Sequence, residues 1–145
     1  MMKNRDEVRS LFKMKKVPLT HQRLAVYEEL SGRHDHPSAE LLHESLKKAY
    51  PSLSLSTVYK TLQTLHTMGM VARVYSPTAQ ARYDAIVDTH HHAVCASCGR
   101  IEDLFDPRLD KLPAPKTSGF VSSGHSVHFH GLCAKCAKSA AQKTR

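Results

Sequence analysis

The chain has 145 residues, 41% of them hydrophobic and 23% charged, with no tryptophan and a formal net charge of +8. That length holds one ordinary domain or two small ones, and the composition excludes a disordered chain. No apolar run reaches the ~18–20 residues of a membrane span, and the polar start lacks the apolar stretch of a signal peptide, so the chain reads as cytoplasmic.

Val8, Leu11 and Phe12 set one face of a first helix that Pro18 ends. Thr20 can cap a second, carrying Leu24, Val26, Tyr27 and Leu30 before Gly32. Ser38 is the N-cap of a third, with Leu41, Leu42, Leu46 and Ala49, ending near Pro51. A fourth runs from about Ser54 to Met68 and closes at Gly69. Its stripe of Leu55, Val58, Leu62 and Leu65 leaves Ser56, Lys60, Gln63 and Thr67 facing outward, with Thr57 and Tyr59 on the flanks. Two β-prone segments follow, Met70 to Tyr75 and Arg82 to Val87, joined through Ser76, Pro77 and Thr78. Helix–turn–helix followed by a hairpin is the layout of a winged helix.

The second half has short β-prone pieces at His92 to Cys95, Arg100 to Phe105, Phe120 to Ser122 and Ser126 to His130, punctuated by Gly and Pro. Its polar tail, Lys138 to Arg145, is expected to fray. The fold class is therefore α+β: a winged helix–turn–helix over residues 1–84 with a hinge at its end, then a small α/β domain over 85–145. The first domain is the basic one, with 13 Lys/Arg against 7 Asp/Glu in residues 1–83 and 8 against 6 beyond. That favours a polyanionic partner through counterion release, although an ordinary basic protein shows the same imbalance.

Cys95-x-x-Cys98 and Cys133-x-x-Cys136 form two hooks of matching spacing. Each can give two thiolates to one tetrahedral Zn²⁺, and two hooks close a structural Cys₄ site with no free position. The 34 residues between them require a compact subdomain; a thiol switch is the rival reading. His90-His91-His92 precedes the first hook. On a strand, His90 and His92 share one face and His91 takes the other. With Asp84 before them and Glu102 and Asp103 after, they form a His/carboxylate set suited to Fe(II), Mn(II) or Zn(II), or else a solvated turn. Ser56, Thr57, Tyr59, Lys60 and Gln63 are the candidate contacts to bases and phosphates in a major groove, joined by Lys15 and Lys16. Any amphipathic helix also shows such a polar face.

Thr20-His21-Gln22-Arg23, His36-Pro37-Ser38-Ala39, Ser56-Thr57-Val58-Tyr59-Lys60-Thr61-Leu62, Arg82-Tyr83-Asp84 and His90 through Gly99 together resemble the ferric uptake regulator family, over about Arg9 to Ala137. The resemblance implies a winged-helix domain, a hinge, and a dimerisation domain holding one Cys₄ zinc per chain. It also implies one regulatory metal, Fe(II) or Mn(II), on His36, Asp84, His90, His92 and Asp103. Asp103 in the fifth ligand position resembles the peroxide-sensing branch, in which oxidation of His36 or His90 ends repression; iron-sensing members tend to carry Glu there, and Glu102 is adjacent. The zinc-sensing branch usually adds a sensory cysteine, and all four cysteines here are used by the hooks. His125, His128 and His130 stand either as an accessory site or as exposed strand histidines. The expectation is a homodimeric, peroxide-sensing repressor on a palindromic double-stranded operator. Its rivals are an iron- or zinc-responsive regulator and, in another class, a His/carboxylate metalloenzyme with a zinc-ribbon subdomain, for which the chain shows no general acid/base motif.

Overall fold

The computed structural model of the protein describes residues 2–116 and 118–143. They divide into two compact units, Met1–Asp88 and Thr89–Arg145. Ala85 still packs into the core of the first, which carries that unit past Asp84.

Four helices build the first unit: α1 (Arg5–Met14), α2 (His21–Ser31), α3 (Ala39–Leu46) and α4 (Leu55–Thr67). Each starts where a side chain satisfies backbone N–H groups that the helix itself leaves without acceptors. Asn4 closes a capping box with Glu7, while Thr20, Ser38 and Ser54 accept from the amides of Arg23, Leu41 and Thr57. Gly69, at φ 71°, takes the left-handed position just after α4. Phe12, Val26, Tyr27, Leu42, Leu62 and Leu65 form the centre of a core in which α2, α3 and α4 pack on one another.

The hairpin strands β1 (Ala72–Val74) and β2 (Arg82–Asp84) pair antiparallel, with Ala72 opposite Asp84 and Val74 opposite Arg82. Both are shorter than the β-prone segments suggested. Met70 and Val71 are buried in the helical core instead of entering the ladder, and Ala85 ends the second strand by joining the same core.

In the second unit β3 (His91–Cys95) lies between β4 (Ile101–Leu104) and β5 (His128–Gly131), antiparallel to the first and parallel to the second. A one-turn helix α5 (Pro107–Asp110) follows β4, with Pro at its first position and Asp106 as cap. Two expectations are corrected here. Phe120 to Ser122 is not a strand: Phe120 and Val121 are 65% and 91% exposed, and no strand pairs with them. Lys138 to Lys143 does not fray but continues α6 (Ala134–Lys143), whose alanines favour helix; Thr144 and Arg145 lie outside the described residues. No described helix is long and apolar enough to cross a membrane.

Candidate metal centres and nucleic-acid face

The four cysteines converge. The first hook is a turn off the end of β3: the Cys95 N–H donates to the Arg100 carbonyl at 2.8 Å and the Gly99 N–H to the Cys95 carbonyl at 2.9 Å. Gly99 sits at φ 73°, a left-handed conformation that a side chain would strain. Parallel pairing of β3 with β5, extended by the bond from Ala96 N–H to the Gly131 carbonyl at 2.8 Å, delivers the second hook beside the first. Cys136 then lies in the first turn of α6, where the Ala137 N–H donates to the Cys133 carbonyl at 2.9 Å.

All four sulfurs lie within 4.8 Å of one another, and Cys98 Sγ and Cys133 Sγ are 3.8 Å apart. A tetrahedron of thiolates at ~2.3 Å from one ion has edges of about 3.8 Å, so the spacing fits a shared metal and is far too long for a disulfide. The thiols split electrostatically. The backbone N–H of Cys133, then that of Cys98, hold the Cys95 thiol down to about 6. The Ser97 side chain pulls Cys136 in the same direction, but the neighbouring Cys133 and Cys98 outweigh it and push that thiol up to about 11. Without a cation, four crowded sulfurs cannot all be ionised; a bound Zn²⁺-like ion removes that conflict.

The first unit holds a second donor pair. His36 Nε2 is 3.4 Å from Asp84 Oδ2, with side chains only 2% and 6% exposed. Along β2 the side chains alternate: Tyr83 fills the core, while Arg82 and Asp84 share the other face. His36 itself has φ 49° and precedes Pro37, a combination worth roughly 1–3 kcal/mol of backbone strain.

The second unit holds a triad. His90 Nε2 and His92 Nε2 lie 3.4 and 3.6 Å from Asp103 Oδ1, and the two rings meet edge-on with centroids 4.6 Å apart. The sheet register decides which carboxylate takes part. Asp103 stands opposite His92, whereas Glu102 stands opposite Ala93, is exposed, and pairs with Arg100 at 2.9 Å. His91 faces the other way: its Nε2 is 2.9 Å from Asp110 Oδ1, its Nδ1 accepts the Val127 N–H at 3.1 Å, and its ring stacks on His125. His128 stacks on His92 and sits below the usual histidine range because it is desolvated and near His92 and His130. His125 bonds through Nε2 to the Leu109 carbonyl at 2.6 Å. The histidines of this region are thus spread over both faces, and the five expected regulatory ligands are drawn from both units: His36 and Asp84 belong to the first, His90, His92 and Asp103 to the second. Buried imidazoles with carboxylates form N/O donor sets suited to hard or borderline divalent cations, distinct from the sulfur site.

On α4, Ser56, Tyr59, Lys60 and Gln63 are exposed. Thr57 is half-buried, and its hydroxyl shares a 2.9 Å hydrogen bond with Ser54. Lys15 and Lys16 are exposed just past α1. Sequence reasoning missed the bond from the Tyr59 hydroxyl to the Glu40 carboxylate on α3, which holds Glu40 below its usual range. It also missed Arg82, whose guanidinium donates to the His36 and Asp35 carbonyls. The signals for Arg82 were its place in the Arg82-Tyr83-Asp84 motif and its position two residues before Asp84 on a strand.

The family model that describes the ferric uptake regulator family matches residues 14–130 of the chain. The peroxide operon regulator of Bacillus subtilis is 34% identical over 124 residues, covering 84% of this chain and 86% of that protein. The crystal structure of the Campylobacter jejuni peroxide stress regulator is 34% identical, covers 92% of this chain and 100% of that one, and superposes with a TM-score of 0.66. A zinc uptake regulator solved with zinc and DNA is 26% identical, with 94% of each chain covered and a TM-score of 0.65.

Proposed function

The chain belongs to the ferric uptake regulator family, and on that premise we propose that it is a homodimeric, metal-dependent DNA-binding repressor that responds to peroxide. The observation that carries the reading is the triad in which Asp103, not Glu102, faces His90 and His92. The relatives named for peroxide response support it. Cys95, Cys98, Cys133 and Cys136 hold one structural Zn²⁺ per chain. His36 and Asp84 from the first unit join His90, His92 and Asp103 from the second around one Fe(II) or Mn(II).

The winged helix presents Ser56, Thr57, Tyr59, Lys60 and Gln63 to a major groove, with Lys15 and Lys16 on the phosphates. A second copy does the same on the other half of a palindromic operator. Recruiting donors from both units makes metal occupancy a restraint on their relative placement. To carry the population from mostly inactive to mostly active, that restraint must favour the DNA-competent state by ~10⁴-fold, about 5.5 kcal/mol.

Ferrous iron held by these residues would lend one electron to open the peroxide O–O bond and regain one from the attacked ring, a redox step Mn(II) lacks. The chain decides where the oxidation lands. The buried rings of His36 and His90 offer oxidisable carbon shielded from water. One peroxide gives one oxygen atom to a ring and leaves as water; the oxidised ring is a poorer ligand, and repression ends. The closed sulfur site keeps its thiolates out of this chemistry.

Intact mass spectrometry with peptide mapping after peroxide treatment tests the proposal. The iron-loaded protein should gain one oxygen on His36 or His90, and the manganese-loaded protein none. Oxidised Cys95 or Cys98 with intact histidines would mean a thiol switch. Metal-dependent DNA binding with no oxidation in either form would favour an iron-responsive repressor.

A further inference from the structure

His36 is held in a conformation that its own sequence opposes. It is neither Gly nor Asn, yet its φ is 49°, and the residue after it is Pro37, whose ring disfavours helical backbone in its predecessor. Three donors from β2 oppose that preference. Arg82 Nε donates to the His36 carbonyl, Arg82 Nη2 donates to the Asp35 carbonyl at 3.1 Å, and the Tyr83 N–H donates to the Pro37 carbonyl at 3.1 Å. Three consecutive carbonyls of the loop are therefore taken by two consecutive residues of one strand.

We propose that Arg82 is a positioning residue for the regulatory metal: its guanidinium grips the carbonyls on either side of the His36 α-carbon, imposes the left-handed backbone and so aims the imidazole at Asp84. The strand's alternation makes this possible, because Arg82 and Asp84 lie on the same face while Tyr83 anchors the strand in the core. A planar fork with several N–H groups can span two carbonyls; an ammonium reaches them one at a time. Arg33 secures the outer side of the loop through a paired bond to Asp35, at 2.8 and 2.6 Å.

The grip also reaches the wing. Arg82 pairs with Val74 of β1, so the residue that sets His36 belongs to the hairpin that follows α4 in the chain. Loss of His36 as a ligand releases a loop tied directly to that hairpin. This gives metal loss a route to the DNA-binding unit that runs within the unit itself.

The inference rests on the peroxide-sensing reading for one of its two tests and is independent of it for the other. Full-length Arg82→Lys and Arg82→Ala dimers are compared with the parent protein, with thermal melting as a check on folding. Mn(II) titration should show affinity about tenfold weaker in Arg82→Ala, with a smaller loss in Arg82→Lys, because fewer molecules hold His36 ready. In the iron-loaded proteins, peroxide oxidation should shift from His36 to His90, lowering their ratio about fivefold in Arg82→Ala. A general loss of structure would lower oxidation at both histidines alike and leave the ratio unchanged, which would overturn the proposal. If Arg82→Ala fails to fold, Arg82→Lys decides on the same two readouts. If the parent protein is oxidised at neither histidine, the peroxide reading fails, and the manganese titration judges the grip alone: equal affinity in parent and variants refutes it.

Discussion

Replacing Cys133 with serine should remove both the zinc and the folded state of the second unit. Apart from the ligand Cys95, the buried apolar side chains among the described residues of that unit are Val94 and Ile101. Burial of such groups contributes roughly 1.5–3 kcal/mol each. Phe105, Leu112 and Phe129 are 65%, 46% and 51% exposed, so they add little in the single chain. A structural zinc contributes about 10–16 kcal/mol at neutral pH, more than the two buried groups together. The serine hydroxyl stays protonated and binds Zn²⁺ poorly, so one substitution should forfeit most of the larger contribution. Native mass spectrometry should show one zinc per chain in the parent and none in Cys133→Ser. Size-exclusion chromatography should show loss of the dimer, and thermal unfolding should retain only the transition of the first unit, whose core is separate. Stoichiometric zinc with parental melting in Cys133→Ser would refute the Cys₄ assignment. Zinc loss with an unchanged dimer would refute the claim that metal dominates this unit's stability.

Lys60→Ala and Tyr59→Ala should weaken operator binding while zinc content and dimerisation stay constant, and for Lys60→Ala the salt slope of the dimer should fall by about 1.8 if one phosphate contact per chain is lost. Gel shifts over a salt series would measure this, and unaltered affinity in both variants would mean α4 is not the recognition helix. Asp103→Glu should keep metal-dependent DNA binding yet lose much of the peroxide response, because the longer carboxylate can take a further coordination position; a parental oxidation rate would refute this. Leu62, fully buried on the inner face of α4, should cost the first unit about 2–5 kcal/mol when cut to Ala, read from its denaturant midpoint. Arg33 holds the Asp35 carboxyl below its ordinary value of 3.8. That contribution is complete above 3.8 and fades as pH falls below it, so Arg33→Ala should move acid unfolding of the first unit to higher pH, followed by circular dichroism.

What could be read from residues in order was whatever depends on near neighbours. Thr20, Ser38 and Ser54 announce helix starts because a cap acts over three residues, and the stripe of α4 is a periodicity of one helix. The two Cys hooks were legible for the same reason, as was the separation of His91 from His90 and His92 by strand alternation. The family resemblance supplied His36, whose local setting beside a proline resembles an ordinary loop.

Pairings between distant residues were settled only by the fold. The hooks meet because β3 and β5 run parallel, with Cys95 opposite Gly131, and no local pattern specifies a parallel partner so far along the chain. The choice of Asp103 over Glu102 is a matter of sheet register, where a slip of one residue exchanges the faces. A one-residue ambiguity in sequence thus becomes a definite face in the structure. His36 shows the limit most clearly: its left-handed backbone is uncommon for any residue with a side chain and is opposed by the proline that follows, and Arg82, 46 residues away, supplies the contact that overrides them. Local preferences are worth a kcal/mol or so, and a tertiary grip on successive carbonyls outweighs them.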